Sequence, residues 1–164
     1  MNNEEKTYLP KLEGHGCFAC GTANPIGLNL QFYLNGDTVC TDVSLDARYA
    51  GWDRVAHGGI ISTLLDEAMS WAIMHRKKVF LVTRSMKIKY VRPVLVGMPL
   101  IVSGMLVDDS NPPKIQAKAE IRDRDRHLYV RGTAEFVEQS EKDFTLIPEG
   151  VRKEMLALFL KFDQ

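Results

Sequence analysis

No stretch of this 164-residue sequence approaches the apolar length of a membrane-spanning helix, so no membrane partner is expected. Charge of one sign is not in excess either: Lys plus Arg and Asp plus Glu each number 21. A net charge of zero gives no general attraction for nucleic acid or an anionic surface. It also removes one barrier to self-association. Internal repeats and low-complexity tracts are absent. The start, MNNEEKTYLP, lacks the apolar core of a signal peptide. Cysteine is scarce and odd in number, with Cys17, Cys20 and Cys40 only. That usage fits a reduced cytoplasmic protein better than a disulfide framework. With 45% hydrophobic and 26% charged residues, the chain has the balance of one globular domain with one substantial core.

Residues 1–25 show no periodicity and contain Pro10, Gly14, Gly16, Gly21 and Pro25, which reads as an irregular leader. A main domain is expected over 26–140, and a tail over 141–164. Leu28, Leu30, Phe32 and Leu34 alternate with other residues at the period of a strand. Asn35-Gly36 signals a tight turn, and Val39, Thr41, Val43 and Leu45 continue as the second arm of a hairpin. After a loop over 46–56, Ile60, Ile61, Leu64, Leu65, Ala68 and Ala72 fall at helical spacing. This helix ends in His75, Arg76, Lys77 and Lys78, cations suited to the negative end of its dipole. Four strands follow, around Met86–Tyr90, Leu100–Val107, Ile115–Arg122 and Leu128–Phe136. Turns are expected at Asp109–Pro113 and Asp123–Arg126. A short helix is expected within Pro148–Phe162, with Pro148 near its start. The order predicts an α+β fold, a largely antiparallel sheet wrapped around one apolar helix.

The long helix carries a polar arc of Ser62, Thr63, Asp66, Glu67 and Ser70. A solvated face is the ordinary explanation. Yet no Lys or Arg occurs between Gly59 and Met74, whereas a solvated face usually mixes charge signs. A crevice or subunit interface suits this composition better. His57-Gly58-Gly59 opens the helix, where unpaired N–H groups sit at the positive end of the dipole. These groups are placed to polarise a carbonyl and hold an oxyanion; alternatively, the glycines serve only to start the helix or pack it closely. Asp66 lies seven residues after Gly59, roughly 10 Å along the axis. A base must lie about 3 Å from its partner. If both features are catalytic, a second copy with an antiparallel helix must complete each site.

The segment HGGIISTLLDEAM resembles the helix motif of PaaI-like hotdog acyl-CoA thioesterases. CFACGTANPIGL, YAGWDRVAHGG and VTRSMKIKYVRPVLVGMPL resemble the leader, the approach to the helix and the following strand in that family, so the likeness spans roughly residues 15–137. The resemblance implies a hotdog fold, hydrolysis of an acyl-CoA thioester, a homodimer or dimer of dimers, and no cofactor. It makes Asp66 the catalytic carboxylate, either general base or nucleophile. It gives the N–H at Gly59, or next to it, the thioester carbonyl. It gives Thr83, ten places before Pro93, a hold on the water, and it puts His57 beside the site. Some relatives carry an asparagine six places before the motif histidine. Here that position is Gly51, so fewer oxyanion contacts are expected, or one from His57.

Other residues carry weaker signals. Gly58 and Trp52 are candidates for substrate contact, Trp52 equally for ordinary packing. Lys87, Lys89 and Arg92 on the strand, and Arg76 to Lys78 on the helix, suit CoA phosphates, although each alone reads as a solvated cation. Glu67 points about 100° away from Asp66, which favours a surface or interface role. Cys17-Phe18-Ala19-Cys20 is half of a zinc ribbon, but with His15 it supplies three ligands and the leader holds no fourth. No metal is expected, and packing is the default for the pair. Two further functions compete with hydrolysis. A non-catalytic acyl-CoA sensor or carrier would keep the glycines and need no acid. A hydratase or dehydratase would pair a His with an acid, which His57 and Asp66 could do only across subunits.

Overall fold

The structure is a computed structural model that describes residues 6–163; the polar start at residues 1–5 lies outside them. The first strands are β1 (Thr7–Tyr8), β2 (Tyr33–Asn35) and β3 (Thr38–Val43). A small hairpin, β4 (Ala50–Trp52) with β5 (Val55–Ala56), leads into the long helix α1 (Gly58–Lys77). Then come β6 (Phe80–Tyr90), β7 (Leu100–Asn111), β8 (Lys114–Asp123) and β9 (Leu128–Gln139), and finally α2 (Glu149–Phe159).

Seven strands form one sheet in the order β1-β2-β3-β7-β8-β9-β6, with every neighbouring pair antiparallel. Helix α1 lies against β7 and β8 at the sheet's centre and touches β3, β6 and β9 on either side. This is the α+β hotdog arrangement expected. Alternation makes it possible: Ile115, Ala117, Ala119 and Ile121 of β8, with Val130, Ala134 and Phe136 of β9, are buried under the helix. The helix answers with buried Ile61, Leu64, Leu65, Ala68, Met69, Ala72 and Ile73. Each large side chain so buried contributes roughly 1.5–3 kcal/mol. Gly104 of β7 lets the two layers meet, since a Cβ there would stand 2.3 Å from the carbonyl oxygen of Ala68.

Three expectations need adjusting. The first strand is shorter than the alternation from Leu28 implied, and β2 begins only at Tyr33. Before it, Leu28 and Leu30 bond to Phe18 and Ala19 of the leader instead of forming part of the sheet. The leader itself contributes β1, paired to β2. The Asp109–Pro113 turn is tighter than expected: the ladder runs to Asn111 and resumes at Lys114. Helix α2 does start after Pro148, and Phe159 and Phe162 of the tail pack onto Phe80 and Trp71. Among the described residues, no helix is long and apolar enough to cross a membrane.

Candidate active site

Helix α1 begins where His57 turns its ring back, so that Nδ1 accepts the Gly59 N–H at 3.0 Å. This is a side-chain cap, serving one of the donors a helix start leaves over. The Gly58 N–H has no acceptor among the described residues. In the chain as it stands, the predicted Gly59 donor is therefore engaged, and Gly58 is the free one. Gly51 leaves room for this: a Cβ there would lie 3.2 Å from the Cα of His57.

The same helix end holds Tyr90, which no sequence motif marks as a site residue. The Tyr90 hydroxyl donates to the Gly58 carbonyl at 2.9 Å and lies 3.0 Å from Ser62 Oγ. Ser62 and Thr63 also return their hydroxyls to the carbonyls of Gly58 and Gly59. Two of the arc's five residues are thus spent on the helix's own first turn.

Asp66 meets β6. The Thr83 hydroxyl donates to Asp66 Oδ1 at 2.7 Å. A bulge sets up this meeting. Thr83 pairs with Phe136 and Ser85 with Glu135, so Arg84 is an extra residue in β6. Beyond it, Met86, Ile88 and Tyr90 share the helix side of the sheet; before it, Thr83 does. Partial burial raises the pKa of Asp66, and the Thr83 hydrogen bond opposes that rise. The outcome is a carboxylate more basic than a solvated one, with one oxygen fixed. Replacing Thr83 by Val removes a hydrogen bond to a charged group, which is worth about 1.5–3 kcal/mol. If Asp66 acts as a catalytic base, turnover should fall roughly 10- to 100-fold with little change in melting temperature, and Thr83→Ser should recover most of it. A Val variant with full kcat would show that the hydroxyl has no positioning role.

The lower half of the arc faces the leader. Trp71 Nε1 donates to Glu67 Oε1 at 3.0 Å, and Cys17 and Cys20 lie beside the same carboxylate. Burial pushes the Glu67 pKa up to about 7, and the Cys17 sulfur adds to the rise. The hydrogen bond between the two thiols holds Cys17 below the ordinary thiol range and Cys20 above it. Next to this cluster opens a mostly apolar cavity of about 260 Å³. It is walled by the leader (Leu12), α1 (Met74), β6 (Leu81, Thr83) and the tail (Phe144, Phe159).

The remaining candidates lie apart from these contacts. Trp52 sits at the tip of the β4–β5 hairpin and is 86% exposed, so ordinary packing within the chain does not account for it. Lys87 and Lys89 are exposed on β6. Arg92 donates to the Leu128 carbonyl. Lys77 pairs with Asp109 and Glu138, and Lys78 with Asp163.

Comparison with known proteins bears on this arrangement. Residues 54–108, from the hairpin through α1 and β6 into β7, match the model of the thioesterase superfamily. No curated protein matches the sequence. Among solved structures, a thioesterase superfamily protein aligns with a TM-score of 0.65 at 26% identity, over 70% of this chain and 56% of the other. The present chain therefore spans little more than half of that protein. The E. coli PaaI protein from the phenylacetic acid degradation operon gives 0.62 at 15% identity, over 69% of this chain and 81% of its own. Zebrafish thioesterase superfamily member 2 gives 0.62 at 16% identity, over 73% and 87%. At those identities the last two speak for the fold. The chain thus shares its fold with the E. coli PaaI protein, and the segment that carries Asp66, Gly59 and Thr83 matches the thioesterase superfamily model.

Proposed function

We propose that the protein hydrolyses an acyl-CoA thioester to the free acid and CoA. The observation that carries this reading is the Thr83–Asp66 hydrogen bond of 2.7 Å, which fixes one carboxylate oxygen and leaves the other to accept from a water. That water attacks the thioester carbonyl carbon and gives its proton to Asp66. The carbonyl oxygen gains charge and is held by N–H groups at the start of α1. Collapse breaks the carbon–sulfur bond, and the CoA thiolate leaves and takes up a proton. Direct attack by Asp66 is the alternative: it gives a mixed anhydride that water then opens. The Gly58 N–H is ready for the oxyanion. The Gly59 N–H joins it when His57 Nδ1 gives way, so His57 governs how many donors the site offers. The apolar cavity beside Thr83 suits an acyl chain, while Lys89 and Arg92 suit CoA phosphates.

The site is shared between two copies of the chain in a homodimer or dimer of dimers. Asp66 and the Gly59 donor are separated by roughly 10 Å along one helix axis. Strand β6 ends the sheet as a long edge whose outer backbone groups have no strand neighbour among the described residues, with Val82 and Tyr90 exposed among Arg84, Lys87 and Lys89; a long open edge of this kind suits pairing with a second copy. The free thiols fit a reducing, cytoplasmic setting.

The test is free-thiol release from short, long and aromatic acyl-CoAs by the purified protein. Hydrolysis of at least one supports the reading. Binding of CoA esters with no hydrolysis across the panel would replace it with the sensor or carrier. Sharing is tested by mixing an Asp66→Asn chain with a Gly59→Pro chain, each inactive alone. We expect activity to return at about one intact site per heterodimer. No return after proven subunit exchange would mean that each chain holds a whole site.

A further inference from the structure

We propose that Cys17, Cys20 and Glu67 form a binding site for a thiophilic divalent cation, with zinc as its representative, that pins the leader to α1. The ligand atoms of these three residues all lie within 4.8 Å of one another. At zinc–sulfur and zinc–oxygen bonds of about 2.3 and 2.0–2.2 Å, tetrahedral ligands stand roughly 3.3–3.8 Å apart. The cluster needs only a small contraction to close around an ion. Two soft sulfurs and one carboxylate oxygen are a donor set that zinc accepts.

The backbone around the cysteines is already shaped for this. Cys17 to Cys20 is a tight turn closed by the Gly21 N–H on the Cys17 carbonyl at 3.0 Å. A Cβ at Gly21 would stand 2.3 Å from the His15 carbonyl and 2.5 Å from that of Cys17, so the chain folds back here more tightly than a side chain permits. That fold-back puts both sulfurs on one side, facing α1. The third donor comes from far along the sequence, on the turn of helix that also carries Trp71. Trp71 holds Glu67 Oε1, which fixes the carboxylate, and the Cys20 thiol also hydrogen-bonds to it, a contact that the ion would replace.

Charge argues in the same direction. Lys11 is the cation on this wall of the cavity. It is committed to the carbonyls of Cys20 and Leu30 and to Asn29 Oδ1. A divalent ion would displace the thiol protons to solvent. Two thiolates and one carboxylate would then leave the site with a net charge of −1. The fourth position would open on the cavity, whose wall also includes His15. A second group of possible ligands, Asp123, Asp125 and His127, lies on a surface turn and offers no sulfur. It serves as an internal control.

The experiment uses the whole chain, stripped of metal by chelation and kept reduced with a phosphine. Zinc is titrated with a colorimetric indicator, and cobalt(II) replaces zinc as the spectroscopic probe. We expect one zinc per chain, a rise in melting temperature on loading, and a thiolate-to-cobalt charge-transfer band. Cys17→Ser with Cys20→Ser should abolish the band and the tight stoichiometric uptake, whereas Asp123→Ala should leave both intact. Glu67→Gln keeps both thiols and should weaken binding about tenfold or more. It provides the answer if the double cysteine variant does not fold. The proposal is overturned if the reduced wild type takes up no stoichiometric zinc, if cobalt binds without the band, or if Glu67→Gln binds as tightly as the wild type. None of these readouts depends on thioester turnover, so this site and the proposed hydrolysis stand or fall separately.

Discussion

Replacing Asp66 by Asn will lower acyl-CoA hydrolysis at least about a hundredfold and leave the melting curve where it is. The change is nearly isosteric, and Thr83 can still donate to the amide oxygen, so the contact between α1 and β6 survives. What disappears is the proton acceptor. A positioned general base contributes roughly 10²–10⁴ in rate, and an amide can neither take the water's proton nor attack the thioester. In the proposed mechanism burial helps the wild type: it raises the carboxyl's proton affinity and would strengthen Asp66 as a base, with Thr83 holding one of its oxygens. The measurement is kcat/KM by thiol release, set beside a thermal melt of the same preparations. If Asp66→Asn keeps most of its activity with an unchanged melt, Asp66 is neither base nor nucleophile, and a different carboxylate has to be sought.

The largest loss of stability is expected from Gly104→Ala. A methyl group there would meet the Ala68 carbonyl oxygen at 2.3 Å, its carbon at 2.5 Å and the Met69 nitrogen at 2.8 Å. These are backbone atoms in the middle of α1, and no rotamer change relieves the clash. Overpacking a core usually costs about 1–3 kcal/mol, and a collision with a central helix lies at or above the upper end. For a chain of this size each kcal/mol lowers the melting temperature by roughly 2–4 °C, so a drop of about 6–12 °C is expected. Gly16→Ala is the matched control, since a Cβ at Gly16 meets nothing within 4 Å. Its effect should stay within about 0.5 kcal/mol. A Gly104→Ala protein that melts with the wild type would mean that the helix and sheet have slack at their closest approach. Activity is a second readout, because a helix lifted from β7 carries Asp66 and the Gly58–Gly59 turn with it.

Much of this fold is legible in the sequence because its sheet buries one face against a helix, which writes alternation into β8 and β9. Helix α1 is equally plain, with its apolar spacing and its cationic last turn. The segment before Tyr33 was misread because Leu28 and Leu30 alternate like a strand, yet their backbone partners are turns of the leader. Period alone does not distinguish a sheet neighbour from a loop neighbour. The polar arc marks α1 as the element that carries the candidate site residues, and the hairpin, helix and β6 segment is recognisable from its motifs. The cap of His57 on Gly59 is not, since it depends on a ring rotamer. Neither is the meeting of Glu67 with Cys17 and Cys20, which lie about fifty positions away in the sequence and on another element. The leader holds no fourth ligand for the pair among its described residues, and the carboxylate that lies beside it comes from the helix. Tyr90 has nothing in the alternation of β6 to mark it, and only its hydroxyl contact with Gly58 sets it apart.

The extra residue at Arg84 acts as a phase shift along β6. Strand side chains follow a two-beat rhythm, and an insertion of one reverses the beat for everything on one side of it. Counting down from Tyr90 in steps of two gives Ile88, Met86, Arg84 and Val82; an unbroken rhythm would turn those inward and leave Thr83 facing away from the helix. Because β6 is the last strand of the sheet, the slip disturbs only its pairing with β9, and no further neighbour must be re-registered. The hydroxyl that aims Asp66 is thus set by the frame of the strand rather than by its composition, at the edge where a change of frame disturbs the sheet least.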